Sequence, residues 1–293
     1  DFYILFNPAG LSWLLNIRAT DLKYSPVIRS FCVISKTGEV LIFGKNHILK
    51  KFFSKNKQIK IYKLDEFSNF CACLKDKKCL IDPNLLPLKI YNILKENGLS
   101  YKSINCPIDN FKTLKNPQEL NGFKNAHLKD GLAILKFLFW FDKNVSSNKL
   151  TEISLSQKLF DIRSLDETFI CESFATISAF EENGAIIHYK ANTSSNKKID
   201  KSSLYLFDTG AHYLDGTTDT TRTLLVGEAK PEMLEDYTSV LKGHIAISSA
   251  SFPKGTRGRE LDTLARVELW SKGKDYAHGT GHGVGHVLGV HEG

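Results

Sequence analysis

The sequence predicts an α+β protein of two domains, one over residues 1–115 and the other over 116–293. Three observations predict it. Short β-branched and aromatic runs alternate with helical segments through the first part of the chain. A strong helix start at Asn116 opens a second organisation. The length of 293 residues allows about two domains, each large enough to bury its own core. With 42% hydrophobic and 24% charged residues, 20 Gly and 8 Pro, the chain sits near the globular average, which excludes disordered, collagen-like and coiled-coil readings. No apolar run reaches the roughly 18 residues a membrane span needs. The N-terminus shows no basic segment followed by an apolar core, so neither a membrane partner nor a secretory signal is expected. The chain opens on Asp1 inside an apolar run and stops at Gly293 within a Gly/His-rich stretch, so a piece cut at both ends is expected.

In the first domain, residues 2–6 read as a strand and Leu11–Ile17 as a short helix with Trp13, Leu14 and Ile17 on one face. Phe31–Ser35 and Val40–Phe43 are β-rich runs joined by Lys36-Thr37-Gly38-Glu39, a hairpin signal. Leu85–Asn97 is helical and stops at Gly98. In the second domain, Asn116-Pro117-Gln118-Glu119 supplies a cap, a Pro at the first helical position and an early acid. That helix is expected to reach about Phe141, burying Phe123, Ala126, Leu132, Ile134, Leu135 and Leu138. Thr151-Glu152 caps another helix to about Ile162. Gly184–Tyr189 and Leu204–Asp208 read as strands around a polar excursion at 192–203, and Gly258–Lys272 as a last helix before Gly273.

The net charge of +7 is uneven: residues 1–115 hold 19 Lys and Arg against 9 Asp and Glu. A basic half invites a nucleic-acid reading. Here the cations are mostly lysines scattered among Asn, Ile and Phe, without a nucleic-acid-binding motif, so a solvated surface is the simpler reading and no nucleic-acid partner is expected. The six cysteines form no CxxC pair. Cys71-x-Cys73 with Cys79 nearby is a weak metal pattern, and reduced, partly buried thiols of a cytosolic protein fit better.

The residues that carry chemistry fall after His188. Leu204–Asp208 is a strand with a carboxylate at its end, Asp215-Gly216 a hairpin turn, and Thr217–Val226 a return strand containing Asp219. Asp208 and Asp219 can therefore face each other across two strands. Two such carboxylates do not both stay ionised in a partly buried site unless they share a proton or hold a cation. A pair of exposed turn acids is the plainer alternative. The polar run Thr217-Thr218-Asp219-Thr220-Thr221 argues against it at Asp219, where a plain core would use Val or Ile.

The second cluster is His278-Gly-Thr-Gly-His282-Gly-Val-Gly-His286, followed by His291-Glu-Gly293. Four of the nine histidines and six of the glycines lie within 278–293. Imidazole suits zinc-type and transition ions, and glycine lets the backbone approach an ion or substrate. A single histidine is more often a hydrogen-bonded core residue, the reading kept for His47, His127 and His244. Two carboxylates with one imidazole favour Mn²⁺, Co²⁺ or Zn²⁺ over a thiolate site.

These segments resemble a known family. Leu206-Phe-Asp-Thr-Gly-Ala-His-Tyr-Leu-Asp-Gly-Thr-Thr-Asp-Thr-Thr-Arg-Thr223, His278–Gly285 and Val290–Gly293 resemble the metal-binding segments of the aminopeptidase P (Xaa-Pro aminopeptidase) group of the M24 metallopeptidases. Gly184–Tyr189 resembles its upstream His-bearing strand, Val240–Ala246 its intervening helix, and Leu11–Arg18 with Asp21 and Pro26 the middle domain of its three-domain cytosolic type. The resemblance implies a creatinase/aminopeptidase P N-terminal-like domain over 1–115 and a partial pita-bread catalytic domain over 116–293. It implies two divalent ions, Mn²⁺ above Co²⁺ or Zn²⁺, and removal of the N-terminal residue from peptides with proline second, in the cytoplasm. Asp208 would bind one ion, Asp219 would bridge both and His282 would bind the other, with His188, His278 and His291 lining the pocket in catalytic roles. Members are often dimeric, so a homodimer is an open partner. The family's last two ligands, both glutamates, lie beyond Gly293, so these residues alone are expected not to turn over. Prolidase and a non-catalytic peptide-binding module of the same fold are the alternatives. An aspartic protease using Asp208-Thr209-Gly210 is a remote one, because a second Asp-Thr/Ser-Gly is absent.

Overall fold

The computed structural model describes every residue except 45, 76, 148 and 293, and at 46–48 the backbone alone. Two of the residues read above, the His47 side chain and Gly293 of the His-Glu-Gly motif, lie outside what is described. Two compact units divide the chain, the first formed by Asp1–Asn116 with Val287–Gly289 and the second by Pro117–His286 with Val290–Gly293.

The first unit is a mixed sheet with helices on both faces. Its elements are β1 (Phe2–Leu5), α1 (Pro8–Leu14), β2 (Phe31–Ser35), β3 (Val40–Phe43), α2 (Asn46–Phe52), β4 (Ile59–Tyr62), α3 (Glu66–Ala72), β5 (Cys79–Ile81), α4 (Leu88–Glu96), β6 (Tyr101–Ser103) and α5 (Pro107–Thr113). The six strands lie in the order β4-β3-β2-β1-β5-β6, with β1–β2 and β2–β3 antiparallel and the other pairs parallel. Strand alternation sorts the side chains into two cores. Ile4, Phe31, Val33, Leu41 and Phe43 meet Phe67 of α3 and Ile90 and Leu94 of α4, while Leu5, Cys32 and Ile42 meet Leu11 of α1 and Ile108 of α5.

Local chemistry moves some predicted boundaries. Helix α1 starts three residues before the predicted Leu11 because Asn7 caps the Ala9 amide and Pro8 fills the first turn. Helix α4 starts at Leu88 rather than Leu85, since Asp82 caps a separate 3₁₀ turn at Pro83–Leu85.

The second unit comprises α6 (Pro117–Asn144), α7 (Glu152–Arg163), β7 (Phe169–Glu172), β8 (Ile177–Phe180), β9 (Ser203–Thr209), β10 (Ala211–Tyr213), β11 (Gly216–Thr217), β12 (Thr220–Val226), α8 (Pro231–Ser248) and α9 (Gly258–Trp270). The hairpin expected at Asp215-Gly216 is present but broken. Strands β9 and β12 pair with each other and with β8, whereas β10 and β11 pair with each other and with β7. Both arms of the hairpin change sheets at Gly210 and at Thr218-Asp219.

Helices α6 and α7 cover β8 and β9 through Ile134, Phe137, Phe141, Leu155, Leu159, Phe180, Tyr205 and Phe207. The buried stripe of α6 is Ala126, Asp130, Ala133, Ile134, Phe137 and Phe141. Leu132 and Leu135, expected inside, are instead 54% and 63% exposed with Leu128 and Phe139. Helix α6 carries two apolar stripes, and periodicity could not choose between them. Gly184–Tyr189, expected as a strand, is a 3₁₀ turn and irregular chain: β8 ends at Phe180, Glu181 turns into positive φ, and Glu181–Ala185 closes the turn. Among the described residues no helix is long and apolar enough to cross a membrane.

Candidate active site

The acid strand is built by alternation. In β9, Ser203, Tyr205, Phe207 and Thr209 are buried against the helices, which turns Leu204, Leu206 and Asp208 to the opposite face. Asp208 pairs in register with Thr221 of β12, whose hydroxyl donates to Asp208 Oδ1 at 2.7 Å. Asp219 sits in the break between β11 and β12, on the same hairpin. Burial holds the Asp208 carboxyl above the usual carboxylate range, the Thr221 hydrogen bond opposes that, and the nearby Asp219 charge adds to it. Facing carboxylates, expected from spacing, are thus electrostatically coupled, with Asp219 displaced by the strand break rather than in ladder register.

Gly210 makes the break sterically admissible. A Cβ there would lie 2.1 Å from Thr218 O and 2.2 Å from Ser173 Oγ, so only glycine lets the two arms approach this closely.

The histidine loop reaches the acids through His282, whose Nε2 lies 3.2 Å from Asp219 Oδ2. The His291 ring stands edge-on to His282, with centroids 4.2 Å apart. Burial lowers the His291 pKa from 6.5, the His282 ring lowers it further, and Asp219 partly offsets both. His188 lies close enough to influence both Asp208 and His291. It is held at φ 54°, unusual for a side chain with a Cβ. Asp208, Asp219, His188, His282 and His291 therefore converge from three separate segments.

His278 does not join them by any described contact. Its Nδ1 pairs with Gly279 O at 2.9 Å and its ring lies 4.7 Å from that of Tyr276. His286 is architectural: Nε2 bonds Asp215 O at 2.8 Å and the ring stands edge-on to Phe123. His127 and His244, expected in the core, are exposed. The cysteine cluster holds no metal group among the described residues, and burial pushes the Cys71 thiol up to about 12, a poor thiolate.

The donor set of two carboxylates and an imidazole fits a borderline divalent ion. Its described contact is one carboxylate–imidazole pair, Asp219 with His282. Among the described residues no three His, Cys, Asp or Glu side chains stand together in ligating range.

Sequence reasoning missed the residues that hold these segments in place. Arg266 of α9 grips Asp262 with two nitrogens at 2.7 and 3.2 Å and Asp275 at 2.8 Å. It also donates to the carbonyls of Tyr276 and His278 at 2.6 and 2.8 Å, organising the loop before His282. The sequence marks Glu152 only as a helix-start acid. It is fully buried and accepts from Phe180 N, Asn183 Nδ2, Tyr189 Oη and Lys197 N, anchoring the segment that carries His188. Asp130 and Arg163 form a buried ion pair, Nε to Oδ1 at 2.7 Å. The available signal was Asp130 itself, a charge at a core position of α6.

Residues 121–293 match the model of metallopeptidase family M24, and residues 1–119 match that of the creatinase/prolidase N-terminal domain. "Xaa-Pro aminopeptidase 1" of Dictyostelium discoideum is 39% identical over 292 residues, covering 97% of this chain and 46% of that protein. "Aminopeptidase P1" of Arabidopsis thaliana is 35% identical over 334 residues, covering 97% and 51%. The chain spans about half the length of the curated relatives it matches. Among solved structures, X-prolyl aminopeptidase from Caenorhabditis elegans, described as a cytosolic enzyme with a di-nuclear active site, superposes with a TM-score of 0.91 at 36% identity, covering all of this chain and 49% of that one. Prolidase from Pyrococcus furiosus superposes with a TM-score of 0.75 at 22% identity, a likeness of fold alone.

Proposed function

The chain belongs to metallopeptidase family M24, and on that premise we propose that the protein carrying it is a metal-dependent aminopeptidase that removes the N-terminal residue from peptides with proline in second position. The observation that carries the reading is the convergence of Asp208, Asp219, His282, His291 and His188 in a chain whose relatives, matched over 97% of its length, are Xaa-Pro aminopeptidases. The likeness to prolidases, at 22% identity, supports the shared fold and gives no ground for preferring dipeptides.

Asp208, Asp219 and His282 would hold two divalent ions, Mn²⁺ in our reading. Such ions supply Lewis acidity and lower the pKa of a water, which peptide hydrolysis needs. The two acids, half-buried and coupled, gain most from a cation between them. His291, whose pKa partial desolvation and the neighbouring His282 ring lower, can accept a proton or a hydrogen bond from the substrate. His188 sits within electrostatic reach of Asp208 and His291 and would contact the substrate from a third segment. We place His278 in the same pocket, carried by the glycine loop that Arg266 organises. We place the protein in the cytoplasm.

The test is hydrolysis by the full-length protein of matched tripeptides with Pro or Ala in second position. Cleavage of the prolyl peptide alone, abolished by a chelator and restored by Mn²⁺, is expected. Equal cleavage of both peptides, or activity that persists in the chelator, would refute the reading.

A further inference from the structure

The hairpin that carries both acids lacks ladder pairing where its spacing matters most. Registered pairing of β9 with β12 ends at Thr209 opposite Thr220, and pairing of β10 with β11 begins at His212 opposite Thr217. Between them, Gly210-Ala211 on one arm and Thr218-Asp219 on the other share one backbone bond, Thr218 N to Ala211 O at 2.8 Å, and Ser173 ties Gly210 O to Thr218 O from the side. Behind them lies the Asp130–Arg163 pair, with side chains 2% and 0% exposed. Arg163 uses Nε and Nη2 in a fork on the two Asp130 oxygens, at 2.7 and 3.0 Å. Its remaining nitrogen, Nη1, donates to Thr209 Oγ1 and to Gly210 O. Asp130 Oδ2 also accepts from Thr218 Oγ1 at 2.9 Å, and Oδ1 from Tyr213 Oη at 2.9 Å. Thr218 Oγ1 in turn accepts from Ala211 N at 3.0 Å. Thr209 directly follows Asp208, and Thr218 directly precedes Asp219.

We propose that the Asp130–Arg163 pair positions the two acids, setting the separation of the Asp208 and Asp219 carboxylates by clamping the threonine beside each. Strand alternation places Thr209, fully buried, on the face opposite the half-exposed Asp208, so the pair works from behind the site without touching it. A buried ion pair contributes little stability over apolar residues of the same volume. Apolar residues could fill this space, but they could not fix two hydroxyls by directional bonds across a break in a sheet. The inference rests on the reading of Asp208 and Asp219 as residues that would hold the metal ions, whose affinity depends on how the groups behind the ligands orient them.

The test uses the full-length protein and Mn²⁺ alone. Asp130→Leu/Arg163→Met removes both charges together, so neither is left buried and unpaired. Thr218→Val removes one clamped hydroxyl and leaves the pair. Melting without metal reports the fold, calorimetric titration reports Mn²⁺ affinity, and electron paramagnetic resonance reports the spin coupling of two neighbouring ions. We expect the double variant to fold but to melt below the wild type, because the Tyr213 and Thr218 hydroxyls lose their acceptor, and to bind Mn²⁺ about 10- to 100-fold more weakly, with the coupled signal lost. Thr218→Val should weaken binding by about tenfold. Wild-type affinity and coupling in the double variant overturn the inference; if that variant does not fold, unchanged binding by Thr218→Val does so. A wild-type protein that takes up no Mn²⁺ overturns the metallopeptidase reading as well, which separates the two failures.

Discussion

The two units bury different chemistry. Among the described residues, the buried polar set of the first is Ser12, Ser30, Asp82 and Lys112, under two apolar cores that sandwich one continuous sheet. The second buries Asp130, Glu152, Arg163, Asn183, Thr209, His212, Thr217 and Thr218, among others, around a sheet that breaks in two. The first holds its shape by volume and alternation, which tolerate small displacements. The second fixes loops and strand ends by directed hydrogen bonds, as a region must when a few side chains need fixed separations. The difference teaches where each unit is vulnerable: the first to lost volume, the second to lost partners.

The largest expected effect tests the first half of that contrast. Phe43 is fully buried and stacks with or stands edge-on to Phe31, Tyr62 and Phe67. Phe43→Ala should cost about 3–5 kcal/mol in denaturant unfolding while leaving Mn²⁺ affinity unchanged in protein that stays folded. A change in affinity would break the contrast.

Glu152→Ala probes the second half, since it strands four donors. A loss of about 3 kcal/mol is expected, with faster amide exchange over 181–198. Unchanged exchange there would show that this segment holds its shape without the carboxylate.

Arg266→Ala should act more locally. With the carbonyls of Tyr276 and His278 released, Mn²⁺ affinity should fall about tenfold with little change in melting. A large drop in melting temperature would make Arg266 a stability residue instead.

The smallest effect is a titration. Because the folded pKa of His291 is depressed below 6.5, its contribution to stability is fully present above 6.5 and is lost as pH falls through the folded value. In metal-free protein the His291 ring signal should titrate below 6.5 by NMR, and its titration at or above 6.5 would show that partial desolvation and the neighbouring His282 ring do not depress it.

Much of this was legible in the chain. The hairpin at 31–43, the start of α6 and the acid strand all follow from local signals: turn residues, a cap followed by Pro, and period-two alternation. The strand expected at 184–189 failed because the segment's backbone bonds close local turns, Ile186 N to Asn183 O and Tyr189 N to Ile186 O, while the Tyr189 hydroxyl is drawn to the distant Glu152 carboxylate, which no local pattern encodes. His286 could not be told from His282 by spacing, yet one bonds a turn carbonyl and the other reaches a carboxylate.

The sequence by itself determined which residue types would carry the chemistry, because side-chain acidity, imidazole donors and glycine's freedom belong to the residues wherever they lie. Tertiary structure alone decided which of them meet. Asp130 and Arg163 are 33 positions apart, and Asp219 and His282 are 63 apart. Such pairings depend on how two sheets split and where a helix lays its buried stripe, and those are outcomes of packing the whole unit.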